Sequence, residues 1–163
     1  AILVALLALA GCAGDPDAVG WVDVRSMEYP LASGDVVAAV DRFSVVRGAE
    51  DVGGSGPSPC LQTVIAGVAG PCVNHTAGGY GFAPRRLDDL RYIEVRYGAD
   101  DVREFVVWSD RSPTGRSIEP LVADGERILY WPMEPGERPW GVQAVDDEGL
   151  ASIAWSATDL PAA

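Results

Sequence analysis

Few side chains in this chain are equipped for nucleophilic or metal chemistry: three cysteines, Cys12, Cys60 and Cys72, and one histidine, His75. A hydrolytic triad would have to use His75, because a serine hydroxyl is a weak nucleophile until a neighbouring base takes its proton. The nearest approach to a nucleophile elbow is Gly53-Gly54-Ser55-Gly56-Pro57. It carries proline where G-x-S-x-G closes on glycine, and no helix-forming run follows. Cys72-Val73-Asn74-His75 has C-x-x-H spacing, but with Cys60 it offers three ligands where a closed structural zinc site takes four. Gly78-Gly79-Tyr80-Gly81 lacks the lysine of a phosphate-cradling loop. His75 reads as a loop residue, and the expectation is a non-enzymatic chain with no catalytic residue, metal or cofactor.

Carboxylates are more abundant. Asp88-Asp89, Asp100-Asp101 and Asp146-Asp147-Glu148 are adjacent sets, and acid/base chemistry would need two such groups across one cleft with separated pKa values. All three fall where the chain is expected to turn, and aspartate is an ordinary turn residue because its carboxylate bonds the local backbone. The calcium-loop pattern D-x-[DN]-x-[DN]-G is absent. The aromatic stretch from Tyr130-Trp131-Pro132 to Pro139-Trp140 is the best candidate binding feature. Rings at a sheet edge can stack on sugars or anchor an interface, whereas inward alternation would make Tyr130 and Trp140 plain core.

These elements are preceded by an address. Residues 1–10 are an unbroken apolar run ending in Leu9-Ala10-Gly11-Cys12, followed by acidic, proline-containing sequence. The run is too short to cross ~30 Å of hydrocarbon but suits a signal-peptide core. The arrangement resembles the lipobox of bacterial lipoproteins. The resemblance implies cleavage before Cys12 and acylation of its thiol and amino terminus, so that Cys12 anchors the chain to a membrane on the extracytoplasmic side. An ordinary secretory signal cut near Ala10 or Ala13, or a buried apolar element, are the rival readings. With Cys12 given to lipid, Cys60 and Cys72 remain as a pair, and an extracytoplasmic compartment lets them oxidise. Two free thiols or a metal site are the alternatives.

Removing residues 1–11 leaves about 150 residues, enough for one domain with a real core. Residues 13–20 form a short tether, whose eight residues reach at most ~25–30 Å at about 3.3–3.6 Å each. Residues 21–163 are expected to be a single domain lying close to the bilayer. The net charge is −12, all twelve basic residues are arginine, and the balance argues against nucleic acid as a partner. It also disfavours electrostatic attachment to anionic lipid, leaving the acyl chains as the hold.

From Trp21 onward short β-favouring runs alternate with turn chemistry. Trp21 to Ser26 alternates; Asp35 to Arg47 is valine-rich, as a bent strand or a pair with Val37, Ala39, Phe43 and Val45 on one face. A helix capped by Ser33 or Asp35 is the rival there, and β-branching tips the reading to strand. Residues 48–59 contain Gly53-Gly54-Ser55-Gly56-Pro57-Ser58-Pro59, read as a loop. Leu90–Tyr97, Val102–Trp108, Arg127–Trp131, Trp140–Val145 and Leu150–Trp155 follow as strands, with Ser109 to Gly115 as a turn segment. This spacing predicts an all-β antiparallel sandwich with at most one short helix. Val142 to Gly149 resembles the last hairpin of bacterial immunoglobulin-like and fibronectin-like sandwiches, and residues 31–155 resemble small single-disulfide envelope domains of high-GC bacteria. The functional expectation is a lipid-anchored binding or scaffolding protein whose partner is an envelope protein or glycan. A carboxylate-based envelope hydrolase and an apolar-ligand carrier are the alternatives.

Overall fold

The computed structural model describes residues 19–51, 54, 56–74 and 79–156. Cys12, Ser55 and His75 lie outside the described residues. Three sheets stack in layers. The central sheet runs β1 (Val22–Asp23), β6 (Tyr80–Leu87), β7 (Leu90–Tyr97), β11 (Glu126–Pro132) and β10 (Leu121–Ala123) in spatial order. A second sheet is the meander β2 (Val36–Val40), β3 (Phe43–Asp51), β4 (Pro57–Ile65) and β5 (Val68–Val73). The third places β13 (Ala151–Ser156), β12 (Pro139–Asp146), β8 (Val102–Ser109) and β9 (Ser112–Ile118) side by side. Every pair is antiparallel except β1 with β6. The expected all-β sandwich class holds, built from three sheets.

Strand alternation explains the layering, because successive side chains on a strand point to opposite faces. On β11, Ile128 and Tyr130 join Phe43, Val45, Leu61 and Ile65 of the second sheet in one core. Leu129 and Trp131 join Phe105, Val107, Val142 and Ala144 of the third sheet in another. On β7, Tyr92 faces the first core while Ile93 and Val95 face the second. The central strands are thus covered on both faces. Phe43 stacks on Tyr130 with centroids 4.7 Å apart, and Tyr92 packs against both rings; such pairs contribute about 0.5–1.5 kcal/mol each beyond area burial.

Four local expectations are corrected. Trp21–Ser26 is not one strand: β1 ends at Asp23, whose carboxylate accepts from the Arg25 amide at 2.9 Å and starts a 3-10 turn over Val24–Met27. Residues 35–47 are the strand pair β2–β3, but a register shift between Val36 and Ala38 turns Val37 and Ala38 inward and leaves Ala39 exposed. The loop over 48–59 is shorter than read, since β3 pairs with β4 out to Asp51 and Pro57. Proline is tolerated there because β5 pairs with β4 only from Leu61 onward, so no ladder hydrogen bond from β5 calls for an amide at Pro57 or Pro59. Ser112–Ile118 is strand β9 rather than turn, and Pro113 is accommodated because β9 is an edge.

The cysteine pairing holds. Cys60 and Cys72 are bonded across β4 and β5 with Cα atoms 5.4 Å apart. The bridge presses on Gly48 of β3, where an added Cβ would sit 2.7 Å from Cys72 Sγ and 3.0 Å from the Ala32 methyl. The residue there must lack a side chain.

Candidate functional site

The interior between the central and second sheets is ionic as well as apolar. Arg96 is 5% exposed and Glu126 1%, and they pair at 2.5 Å. The Arg96 guanidinium also donates to the carbonyls of Leu61 at 3.1 Å and Val73 at 2.9 Å, tying β7 to β4 and β5. Glu94 accepts from the Thr63 hydroxyl and lies 3.4 Å from Arg85. Elsewhere, buried Glu137 accepts from the Ser109 hydroxyl at 2.6 Å and from the Glu134 amide at 2.9 Å. Each buried carboxylate is held by fixed donors inside the protein. These groups staple layers together, as buried charges require.

The concave surface lies at one end of the stack. Two adjoining cavities, of about 420 and 220 Å³, share Arg42 and Leu90 in their walls. The larger is lined also by Asp41, Tyr130 and Pro132, the smaller by Arg25, Ala66, Leu87, Asp88 and Asp89. Three hairpins build this groove: β2–β3 turns at Asp41-Arg42, β4–β5 at Ala66-Gly67 and β6–β7 at Asp88-Asp89. Asp41, Ala66 and Asp88 adopt left-handed φ of 50, 47 and 52°, which aspartate tolerates by bonding locally and alanine does not favour. Asp88 is paired with Arg25 at 3.1 Å. The Arg42 guanidinium enters no ion pair among the described residues. The Tyr130 phenol is pushed up by burial first and by the Asp41 charge next, with Arg42 opposing.

The expected binding residues do not form one surface. Tyr130 and Trp131 point to opposite faces of β11: Tyr130 lies 8% exposed beneath the groove, whereas Trp131 is fully buried in the other core. Trp140 is 41% exposed beside the bulge that opens β12. Of the carboxylate sets, Asp88-Asp89 lines the smaller cavity. Asp100-Asp101 and Asp146-Asp147-Glu148 sit in turns at the opposite end, where Asp146 accepts from the amides of Glu148 and Leu150. Asp41, Arg42 and Leu90 were not singled out by the sequence reading, and Pro132 entered it only as part of the aromatic stretch. Only the Asp41-Arg42 pair, between Val40 and Phe43, carried a signal, as a two-residue turn. Among the described residues no group of three His, Cys, Asp or Glu is placed to hold a metal ion. No protein-family model matches the chain, and neither a curated protein nor a solved structure matches it.

Proposed function

We propose that this is a lipid-anchored extracytoplasmic binding protein that acts close to the membrane surface and engages its partner at the hairpin end. The observation that carries the reading is the groove itself: a concavity whose Arg42, without an ion pair among the described residues, stands beside Asp41 over the edge of Tyr130. A guanidinium left without a carboxylate is available to a ligand, and its planar fork suits carboxylate or phosphate oxygens. The disulfide in the second sheet fits an oxidising compartment, as the lipobox-like segment implies. Two packed cores with aromatic and aliphatic side chains interleaved leave the hairpin end, rather than the space between sheets, as the place for a ligand.

The test is crosslinking in intact cells followed by capture of the full-length protein. A specific partner, protein or glycan, lost with Arg42→Ala but retained with Arg116→Ala supports the reading. Recovery of the same background set from both variants refutes it. Mass spectrometry of the membrane-fraction protein checks the anchor separately: the reading expects a diacylglyceryl thioether on Cys12, and an unmodified thiol removes the anchor.

A further inference from the structure

The chain enters the domain at the groove end. The Trp21 ring lies under the Arg91 guanidinium, 5.2 Å from its centroid, and β1 runs alongside Arg85 and Arg86 at the close of β6. The following 3-10 turn then carries Arg25 onto Asp88 at the groove wall. The β8–β9 and β11–β12 turns are at this end too, since the Met133 amide donates to the Arg91 carbonyl and the Asp110 amide to the Arg138 carbonyl. Any tether leading back from Trp21 therefore starts beside the groove.

Composition differs between the two ends. At the far end Asp100, Asp101, Asp147 and Glu148 are exposed in the β7–β8 and β12–β13 turns. At the entry end, exposed Arg25, Arg42, Arg86 and Arg138 are interleaved with the aspartates. Exposed apolar groups accompany them: Met27 at 38%, Val40 at 38% and Trp140 at 41%. Tryptophan and arginine among scattered apolar side chains is the composition found where protein meets lipid headgroups. The far end also exposes Tyr80, Val122 and Leu150, so the entry end is set apart by its tryptophan and its arginines rather than by apolar exposure as such.

We infer that the domain stands end-on upon the bilayer that anchors it, with the groove receiving the phosphoethanolamine headgroup of a zwitterionic phospholipid. The inference rests on the anchored reading for its orientation, because an eight-residue tether from Cys12 leaves the entry end within ~30 Å of the lipid at about 3.3–3.6 Å per residue. The headgroup chemistry rests on the groove alone. The phosphate lies against Arg42, which enters no ion pair among the described residues, and the primary ammonium lies against the adjacent Asp41 in the wall of the same cavity. The Tyr130 phenol keeps its proton at neutral pH and can donate to a phosphate oxygen. Leu90 and Pro132 give an apolar wall for the ester carbons, and 420 Å³ falls within the ~300–1,000 Å³ of small-ligand sites. A headgroup of zero net charge also meets no penalty from a chain of net charge −12, as an anionic lipid would.

Two measurements on the full mature protein test this. Glycerophosphoethanolamine titrated into the isotope-labelled protein should give saturable shifts at Asp41, Arg42 and Leu90. Arg42→Ala and Asp41→Asn should each weaken binding by about tenfold or more, the scale of one lost charge-assisted contact. Glycerophosphocholine should bind more weakly, because its quaternary ammonium cannot donate a hydrogen bond to Asp41. Absence of saturable shifts, equal binding by Arg42→Ala, or inorganic phosphate binding as well as the headgroup would each overturn the headgroup assignment. In vesicles containing phosphatidylethanolamine and lipids brominated near the headgroup, the emission lost on Trp140→Phe substitution should be the quenched component. Unquenched Trp140 in protein whose Cys12 carries lipid overturns the end-on orientation while leaving the anchor standing. An unmodified Cys12 removes the anchor and leaves the headgroup titration to decide the groove.

Discussion

Replacing Glu126 with alanine removes the counter-charge of a guanidinium with almost no access to water. Arg96 has a side-chain exposure of 6% and Glu126 of 1%, so solvent cannot take over the role of the carboxylate. Breaking one side of a buried pair costs about 3–5 kcal/mol, because the remaining ion keeps its desolvation penalty and loses its compensation. Arg96 keeps two carbonyl partners, Leu61 and Val73, which places the expected loss near the lower bound. At roughly 2–4 °C per kcal/mol for a domain of this size, the melting point should fall by about 10 °C. The companion variant Arg96→Met/Glu126→Leu should not return to the parent's stability. It removes both charges but leaves the Leu61 and Val73 carbonyls without this donor, at about 1–3 kcal/mol for each unsatisfied group. Urea unfolding at pH 7 with the disulfide intact measures all three proteins. A Glu126→Ala loss below about 1 kcal/mol, or a double variant as stable as the parent, would refute the claim that this pair staples the layers.

Three further outcomes are expected. Substituting both Cys60 and Cys72 with alanine should cost about 3 kcal/mol, from the loop entropy of a 12-residue separation, read as a lower urea midpoint. Gly48→Ala should lower the melting point more than Gly67→Ala does. The first places a methyl 2.7 Å from a disulfide sulfur, with overpacking costs of about 1–3 kcal/mol, and the second meets no atom within 4 Å and carries only backbone strain at its φ of +82°. Stability should decline as pH rises above 10. Burial pushes Tyr80 up to about 12 and raises Tyr92 and Tyr130 as well, so the folded state holds protons that the unfolded chain releases. This contribution is complete below pH 10 and fades as pH climbs through the folded values; a urea midpoint constant between pH 9 and 11.5 would contradict it.

The strands were legible where period 2 and turn chemistry agree, as in Leu90–Tyr97 and Arg127–Trp131. Layering was not, because Glu94 and Arg96 read as a water-facing row. Their partners are Thr63, Arg85 and Glu126, and only the folded chain shows that Thr63 and Glu126 lie on other strands opposite them. Edge strands were lost for a related reason: Pro113 and Gly115 look like a turn until β8 is seen to supply the pairing on one side alone. The groove was illegible as a site because its walls come from Arg25, Arg42, Ala66, Asp88 and Tyr130, each commonplace in its own segment. Tyr130 was singled out together with Trp131, but the alternation that buries it also separates the two. Cysteine parity, by contrast, is independent of geometry, and it gave the bridge directly.

The central sheet is assembled from both halves of the chain, and this sets an order of folding. The second sheet is a run of consecutive strands from Val36 to Val73, so its pairings are local and fast to form, and its disulfide joins neighbours. Its inner face stays bare until β7 and β11 arrive, and those pair across a separation of about thirty residues. Since β11 ends at Pro132, a chain emerging from its amino end has no complete layer pair until Pro132 has been delivered. Until then Phe43, Val45, Leu61 and Ile65 face water. An interruption before Pro132 would leave a cross-linked but unfinished sheet, and that exposed face is the surface a chaperone would have to cover.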